Sequence, residues 1–234
     1  MQPRLNDFLK YMQKHAASLF LADMSLNGIF DFDFHVVEQP IVFAAYQKHY
    51  LPNPVAKVVG RASFYPTWPF TYISRRNDYW TLMDSHVMLG AAPMSFMGHV
   101  RDLHARGVRA VVNLCDEYTG PTDDYRKLNI TQLRLPTIDH TEPSVEDLRT
   151  AVAFIEEKVA TGVRVYVHCK SGNGRSAAVV FAWLLHARKF TLEEAQEYMN
   201  EKRRVRKKLY LQPHLVEFSK QLQQESGGPS TPSN

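Results

Sequence analysis

Apolar positions recur at helical spacing at the start of the chain, where Leu5, Phe8, Leu9, Met12, Ala16, Leu19 and Phe20 form one stripe. Arg4, Lys10 and Lys14 accompany it against Asp7. This suits an amphipathic helix packed on the body of the protein, the alternative being a targeting or membrane-surface helix. From about 24 to 60 the pattern has no clean period. Ala62–Ser74 is uncharged and carries Phe64, Tyr65, Trp68, Phe70 and Tyr72. Pro66 and Pro69 within it argue against a continuous helix. Rings followed by Arg75 and Arg76 suit a membrane interface and the flank of a core equally.

From residue 80 strands and helices alternate. Val87–Leu89 reads as a short strand, Met97–Ala105 as a helix ended near Gly107, and Ala110–Leu114 as a buried strand. Thr131–Leu135 reads as a strand stopping before Pro136. Ser144 with Asp147 makes a capping-box-like start for a helix to about Ala160. Val163–Val167 is a β-rich run, and Ser176–Ala187 a nearly all-apolar helix. Thr191 with Glu194 opens a helix that ends in a basic run, and a last helix covers about His214 to Gln224. The alternation predicts an α/β fold, with a central, mostly parallel sheet flanked by helices. It also predicts an N-terminal extension over 1–60, an aromatic and basic connecting segment over 61–79, a catalytic domain over 80–224 and a frayed tail over 225–234.

Composition narrows the class. The chain has 234 residues, 44% of them hydrophobic and 22% charged, the balance of an ordinary globular protein. No apolar run reaches the roughly 18 residues of a membrane-spanning helix. Two cysteines, Cys115 and Cys169, build neither a disulfide scaffold nor a four-cysteine zinc site, and they favour a reducing compartment. The net charge of +4 is mild, but six of the seven residues from Lys202 to Lys208 are Lys or Arg. That run reads as a solvated helix end or as a patch facing phosphates or anionic headgroups. No nucleic-acid motif accompanies it, so nucleic acid is not among the expected partners.

One segment carries chemistry: a strand ends at His168-Cys169, the loop Lys170-Ser171-Gly172-Asn173-Gly174 follows, and Arg175-Ser176 opens the apolar helix. A glycine-bearing loop at a helix N-terminus turns backbone N–H groups inward, where they bind a phosphate-sized oxyanion. Arg175 adds a bidentate grip on two phosphate oxygens. The same positive field favours Cys169 as thiolate, the form that attacks phosphorus in line with the leaving oxygen. The pattern H-C-x5-R-S arises by chance about once in ten thousand chains of this length. Nothing in the sequence resembles a ligand cluster for a metal, and the chemistry calls for no cofactor.

This segment resembles the signature of the cysteine-dependent protein tyrosine phosphatase superfamily, which implies its PTP-like, dual-specificity phosphatase fold. The resemblance implies that Cys169 becomes a phosphocysteine. It implies that Lys170 to Arg175 bind the phosphate oxygens, that Ser176 assists the departing thiolate, and that His168 supports the loop from behind. It also implies a general acid some thirty positions before the cysteine, on a loop after a strand. Asp139 has that placement, with Asp116 and Glu117 as runners-up. Phe64-Tyr-Pro-Thr67, Leu89-Gly90, Asn113, Glu117-Tyr118, Arg134-Leu135 and Val165–Lys170 resemble the mitochondrial-type phosphatidylglycerophosphate phosphatases in particular. Asn173 stands where such relatives tend to carry a basic residue, so this loop offers Lys170 alone.

The resemblance implies a metal-independent phosphomonoesterase acting on phosphatidylglycerophosphate or a related anionic phospholipid, in peripheral contact with the inner mitochondrial membrane. The rivals are a dual-specificity protein phosphatase acting on phosphotyrosine and on phosphoserine or phosphothreonine of a phosphoprotein, a silent phosphate-binding adaptor, and a redox or sulfur-transfer enzyme, with the cytoplasm as the alternative location. Cys169, Arg175, Ser176 and Asp139 together argue against the last two. Cys115 reads as a small buried hydrophobe, or as a resolving thiol for Cys169 if their strands are neighbours. Oligomeric state is left open.

Overall fold

A computed structural model describes residues 51–226. The stripe at the start of the chain and the tail over 227–234 lie outside the described residues. In chain order the elements are α1 (Asn53–Arg75), β1 (Trp80–Leu82), β2 (Val87–Gly90), α2 (His99–Ala105), β3 (Val108–Cys115), α3 (Thr122–Lys127), β4 (Thr131–Thr137), α4 (Val145–Ala160), β5 (Arg164–His168), α5 (Arg175–Arg188), α6 (Leu192–Lys202) and α7 (Pro213–Ser226). The five strands form one sheet in the order β1-β2-β5-β3-β4, antiparallel only between β1 and β2.

The strands at the centre of the sheet, β3 and β5, are the near-continuous apolar runs, as strands covered on both faces should be. Alternate residues feed two clusters. Leu89, Val112, Leu114, Val165 and Val167 pack with α4, α5, α6 and α7. Met88, Val111 and Tyr166 pack with α2 and α3 on the other face. α5 is apolar all round because it is enclosed, with Ala177 through Leu185 buried. Ser144 caps α4 by accepting from the Asp147 N–H at 3.1 Å. Thr191 and Glu194 complete a reciprocal capping box on α6.

Three readings of the sequence need correction. The segment with Pro66 and Pro69 is a continuous helix, part of α1. Both prolines, and the Ala62 and Tyr65 residues whose carbonyls they leave without an intrahelical donor, are exposed. Water can satisfy those carbonyls, while Phe64, Trp68 and Arg75 are buried on the opposite face. β4 runs through Pro136 to Thr137. It is an edge strand, and its pairing with β3 shifts register between Asn113 and Cys115, the kind of place a strand tolerates proline. The basic run is not uniformly solvated: α6 stops at Lys202, and Arg203 and Val205 are buried beyond it.

Candidate active site

The parallel strands β3, β4 and β5 bring their C-terminal ends to one edge of the sheet, where open α/β folds leave a crevice. β5 delivers His168 and Cys169 there, and α5 begins six residues after the cysteine, at Arg175. Between them Gly172 takes φ +67°, and a Cβ there would stand 2.6 Å from the Gly90 carbonyl, so no other residue fits. The loop is thus pressed against β2, with the Ala92 N–H donating to the Lys170 carbonyl at 3.1 Å.

Cys169 is 3% exposed. Its sulfur accepts from the Ser176 hydroxyl at 3.2 Å. Burial pushes the thiol up, but the Arg175 guanidinium and the Ser176 hydrogen bonds outweigh it, and the thiol is held below its ordinary value. Arg175 is fully enclosed. It donates to both Glu117 carboxylate oxygens at 2.8 and 2.7 Å, and to the Thr137 carbonyl at 2.9 Å. Its Nη2 also meets Asp139 Oδ1 at 2.8 Å. Those two carboxylates keep the guanidinium cationic in spite of burial.

Asp139 sits just past the end of β4. Burial raises its carboxyl, but Arg175, His140 and Lys170 together with the His140 N–H hold it low, so it rests as a carboxylate. His168 is buried, its ring nitrogen Nδ1 3.3 Å from the Cys169 carbonyl. Burial lowers it to about 3, so it is neutral, with Nδ1–H as donor, and cannot act as an acid at neutral pH. Lys170 does not project freely from the loop: its Nζ donates to Thr67 Oγ1 and lies over the Phe64 ring at 5.9 Å. Ser171, Gly172, Asn173 and Gly174 complete the turn between Lys170 and Arg175.

The structure brings together Cys169, Arg175, Ser176 and Asp139, with His168 beneath the loop. The runners-up for the acid separate. Glu117 is occupied as the bidentate partner of Arg175, and Asp116 pairs with Arg61 of α1 at 3.4 Å. Arg134 shapes the Asp116–Glu117 turn by donating to the carbonyls of Cys115 and Asp116 at 3.2 and 2.9 Å. Sequence reasoning missed the grip of Glu117 on Arg175, since no spacing ties a strand-end glutamate to an arginine fifty-eight positions on. It also missed the wall that α1 contributes through Phe64 and Thr67. The Phe64 ring stacks on Tyr118 at 4.7 Å, a pairing that no local pattern marks, since Tyr118 is the single ring in an otherwise acidic turn.

A family profile described as "Dual specificity phosphatase, catalytic domain" matches residues 94–221. The mouse protein named "Phosphatidylglycerophosphatase and protein-tyrosine phosphatase 1" is 32% identical over 179 residues, 71% of this chain and 91% of that protein. The Arabidopsis thaliana "Phosphatidylglycerophosphate phosphatase PTPMT2" is 32% identical over 172 residues, 69% of this chain and 73% of that one. The crystal structure of PTPMT1 in complex with PI(5)P matches with a TM-score of 0.57 at 31% identity, covering 64% of this chain and 99% of that chain.

Proposed function

The chain belongs to the dual specificity phosphatase family of cysteine-dependent phosphatases, and we propose that it hydrolyses the phosphomonoester of phosphatidylglycerophosphate through a phosphocysteine at Cys169. The observation that carries the mechanism is the pairing of a buried, low-pKa thiol with an enclosed arginine and a carboxylate on that arginine. A phosphate dianion entering the loop takes the place of the Asp139 carboxylate on Arg175. Asp139 thereby exchanges a cation for a neighbouring anion, its carboxyl rises, and it picks up a proton. The Cys169 thiolate then attacks phosphorus, the P–O bond to glycerol breaks, and Asp139 delivers its proton to the leaving oxygen. Water attacks the phosphocysteine, Asp139 takes the proton from it, and the thiolate leaves with the Ser176 hydroxyl supporting the charge.

The names of the relatives support phosphatidylglycerophosphate as substrate. On this reading the enzyme works at the surface of the inner mitochondrial membrane. No described helix is long and apolar enough to cross a bilayer. Exposed Tyr65, Phe70 and Ile73 of α1, with exposed Arg204, Lys207 and Lys208, support peripheral contact with an anionic lipid surface. A protein-phosphatase reading is supported by the second half of the mouse relative's name. Initial rates on phosphatidylglycerophosphate in vesicles, against phosphotyrosine and phosphothreonine peptides, test the two. The proposal expects kcat/KM highest on the lipid and none in Cys169→Ser; a clear preference for the peptides overturns it.

A further inference from the structure

The run from Lys202 to Lys208 contains a residue with a different task from its neighbours. Lys202, Arg204, Lys207 and Lys208 are exposed, whereas Arg203 is 2% exposed. Its guanidinium lies behind the phosphate loop. Nε donates to the Gly172 carbonyl at 3.2 Å and Nη2 to the Ser171 carbonyl at 3.3 Å. Nη1 donates to Thr81 Oγ1 at 3.1 Å and to the Asp78 carbonyl. The Asp78 carboxylate stands 3.8 Å from Nη1 and is itself bound by Arg75 at 2.8 Å. The fork is packed so closely that a Cβ on Gly172 would stand 2.7 Å from Nη2.

In a trans peptide the C=O and the following N–H point in opposite directions. The Ser171 carbonyl shares its plane with the Gly172 N–H, and the Gly172 carbonyl shares its plane with the Asn173 N–H. Holding those two carbonyls on a cation behind the loop therefore turns those two N–H groups toward the phosphate side. A charged donor on the carbonyl also polarises the peptide and strengthens the N–H at its other end. Resting on the reading of this loop as a phosphate cradle, we propose that Arg203 is a positioning residue for catalysis, fixing the Gly172 and Asn173 N–H groups on the bound phosphoryl group. Arg203 touches no substrate. Burial and the neighbouring Arg75 lower it only to about 10, so it stays cationic at neutral pH. The planar fork reaches several acceptors at once, which an ammonium does not.

The test compares Arg203→Met and Arg203→Lys with Val152→Ala, a destabilising change in α4. Three quantities are read on folded protein: inhibition by vanadate, kcat/KM for an aryl phosphate, and the pH midpoint for alkylation of Cys169. A two-N–H displacement of the order of an ångström costs about 10²-fold, so Arg203→Met should lose that much in vanadate affinity and in kcat/KM. Its alkylation midpoint should move up, because the loop dipoles and a nearby cation no longer favour the thiolate. Arg203→Lys should fold even where Arg203→Met does not, and should recover part of each loss. Val152→Ala should keep all three values at a comparable drop in Tm. Wild-type values in Arg203→Lys, or losses in Val152→Ala equal to those in the arginine variants, would overturn the proposal. A wild-type enzyme that vanadate does not inhibit would overturn the phosphatase reading itself.

Discussion

Strands β3 and β5 run side by side and parallel, and each brings a cysteine to the same edge of the sheet. Both thiols are buried, yet they are shifted in opposite directions. Burial pushes Cys115 well up, and Glu117 pushes it further, with Arg175 working against both. Burial pushes Cys169 up too, but there Arg175 and two hydrogen bonds from Ser176 prevail. The chain after each cysteine differs. Cys115 is followed by an acidic turn, Asp116-Glu117, and its N–H is consumed by the Asn113 side chain at 2.9 Å. Cys169 is followed by a loop that ends on a helix N-terminus, with the hydroxyl of that helix pointing back at the sulfur. A sheet edge therefore supplies position only, and the lowered thiol of Cys169 comes from the loop and helix start that follow it.

The largest expected difference is between removing the two thiols. Cys169→Ser should lower kcat by at least about 10⁴-fold, while vanadate still binds in the surviving cradle. Cys115→Ser should turn over at nearly the wild-type rate. Steady-state kinetics on one aryl phosphate decides this, and a large loss in Cys115→Ser would break the contrast. Next comes Asp139, the proposed acid just past the end of β4. Asp139→Asn should cost roughly 10²- to 10⁴-fold on alkyl phosphates, whose leaving oxygen needs a proton, and far less on activated aryl phosphates. An equal loss on both would remove Asp139 from that role and return Asp116 to consideration.

The segments legible in the sequence were those where one local rule dominated. Ser144 and Thr191 mark helix starts because a cap is closed within four residues. The span from Val163 to Ser176 was legible because strand, glycine loop and buried helix are contiguous. In α1 tertiary burial of Phe64 and Trp68 overrides the proline rule, and sequence alone does not show which face of a helix will be covered. Arg203 was hidden for a related reason. In an unbroken basic run nothing marks the one residue whose acceptors, at Thr81, Asp78, Ser171 and Gly172, lie on other elements. Glu117 was visible as a carboxylate near the site, but its partner was not.

A smaller effect sharpens the comparison at the level just below the thiols, where Asn113 of β3 pairs in register with His168 of β5. His168 has a folded value of about 3 against about 6.5 unfolded. As pH falls below about 6.5 the unfolded chain takes a proton that the folded protein refuses, so stability is present above that pH and is lost progressively toward pH 3. The loss should be about 2 kcal/mol by pH 5. Urea unfolding at pH 7 and pH 5 should show this increment in the wild type and not in His168→Asn. An identical pH dependence in both would mean that the imidazole is solvated.

The smallest effect concerns oxidation. Peroxide should convert the Cys169 thiolate to sulfenic acid, and the neighbouring Cys115, held protonated, is a poor attacker on it. Recovery by reductant after mild peroxide should therefore be the same in wild type and Cys115→Ser. A greater irreversible loss in Cys115→Ser would assign Cys115 a resolving role and make the two strand ends partners.

The most direct measurement is peptide-resolved alkylation of the native protein by iodoacetate across pH, followed by mass spectrometry. The account predicts that Cys169 reacts with a pH midpoint clearly below the ~8.5 of a free cysteine, that vanadate protects it, and that Cys115 stays unmodified until the protein unfolds. Labelling of both cysteines with a common midpoint near that of a free thiol would contradict it.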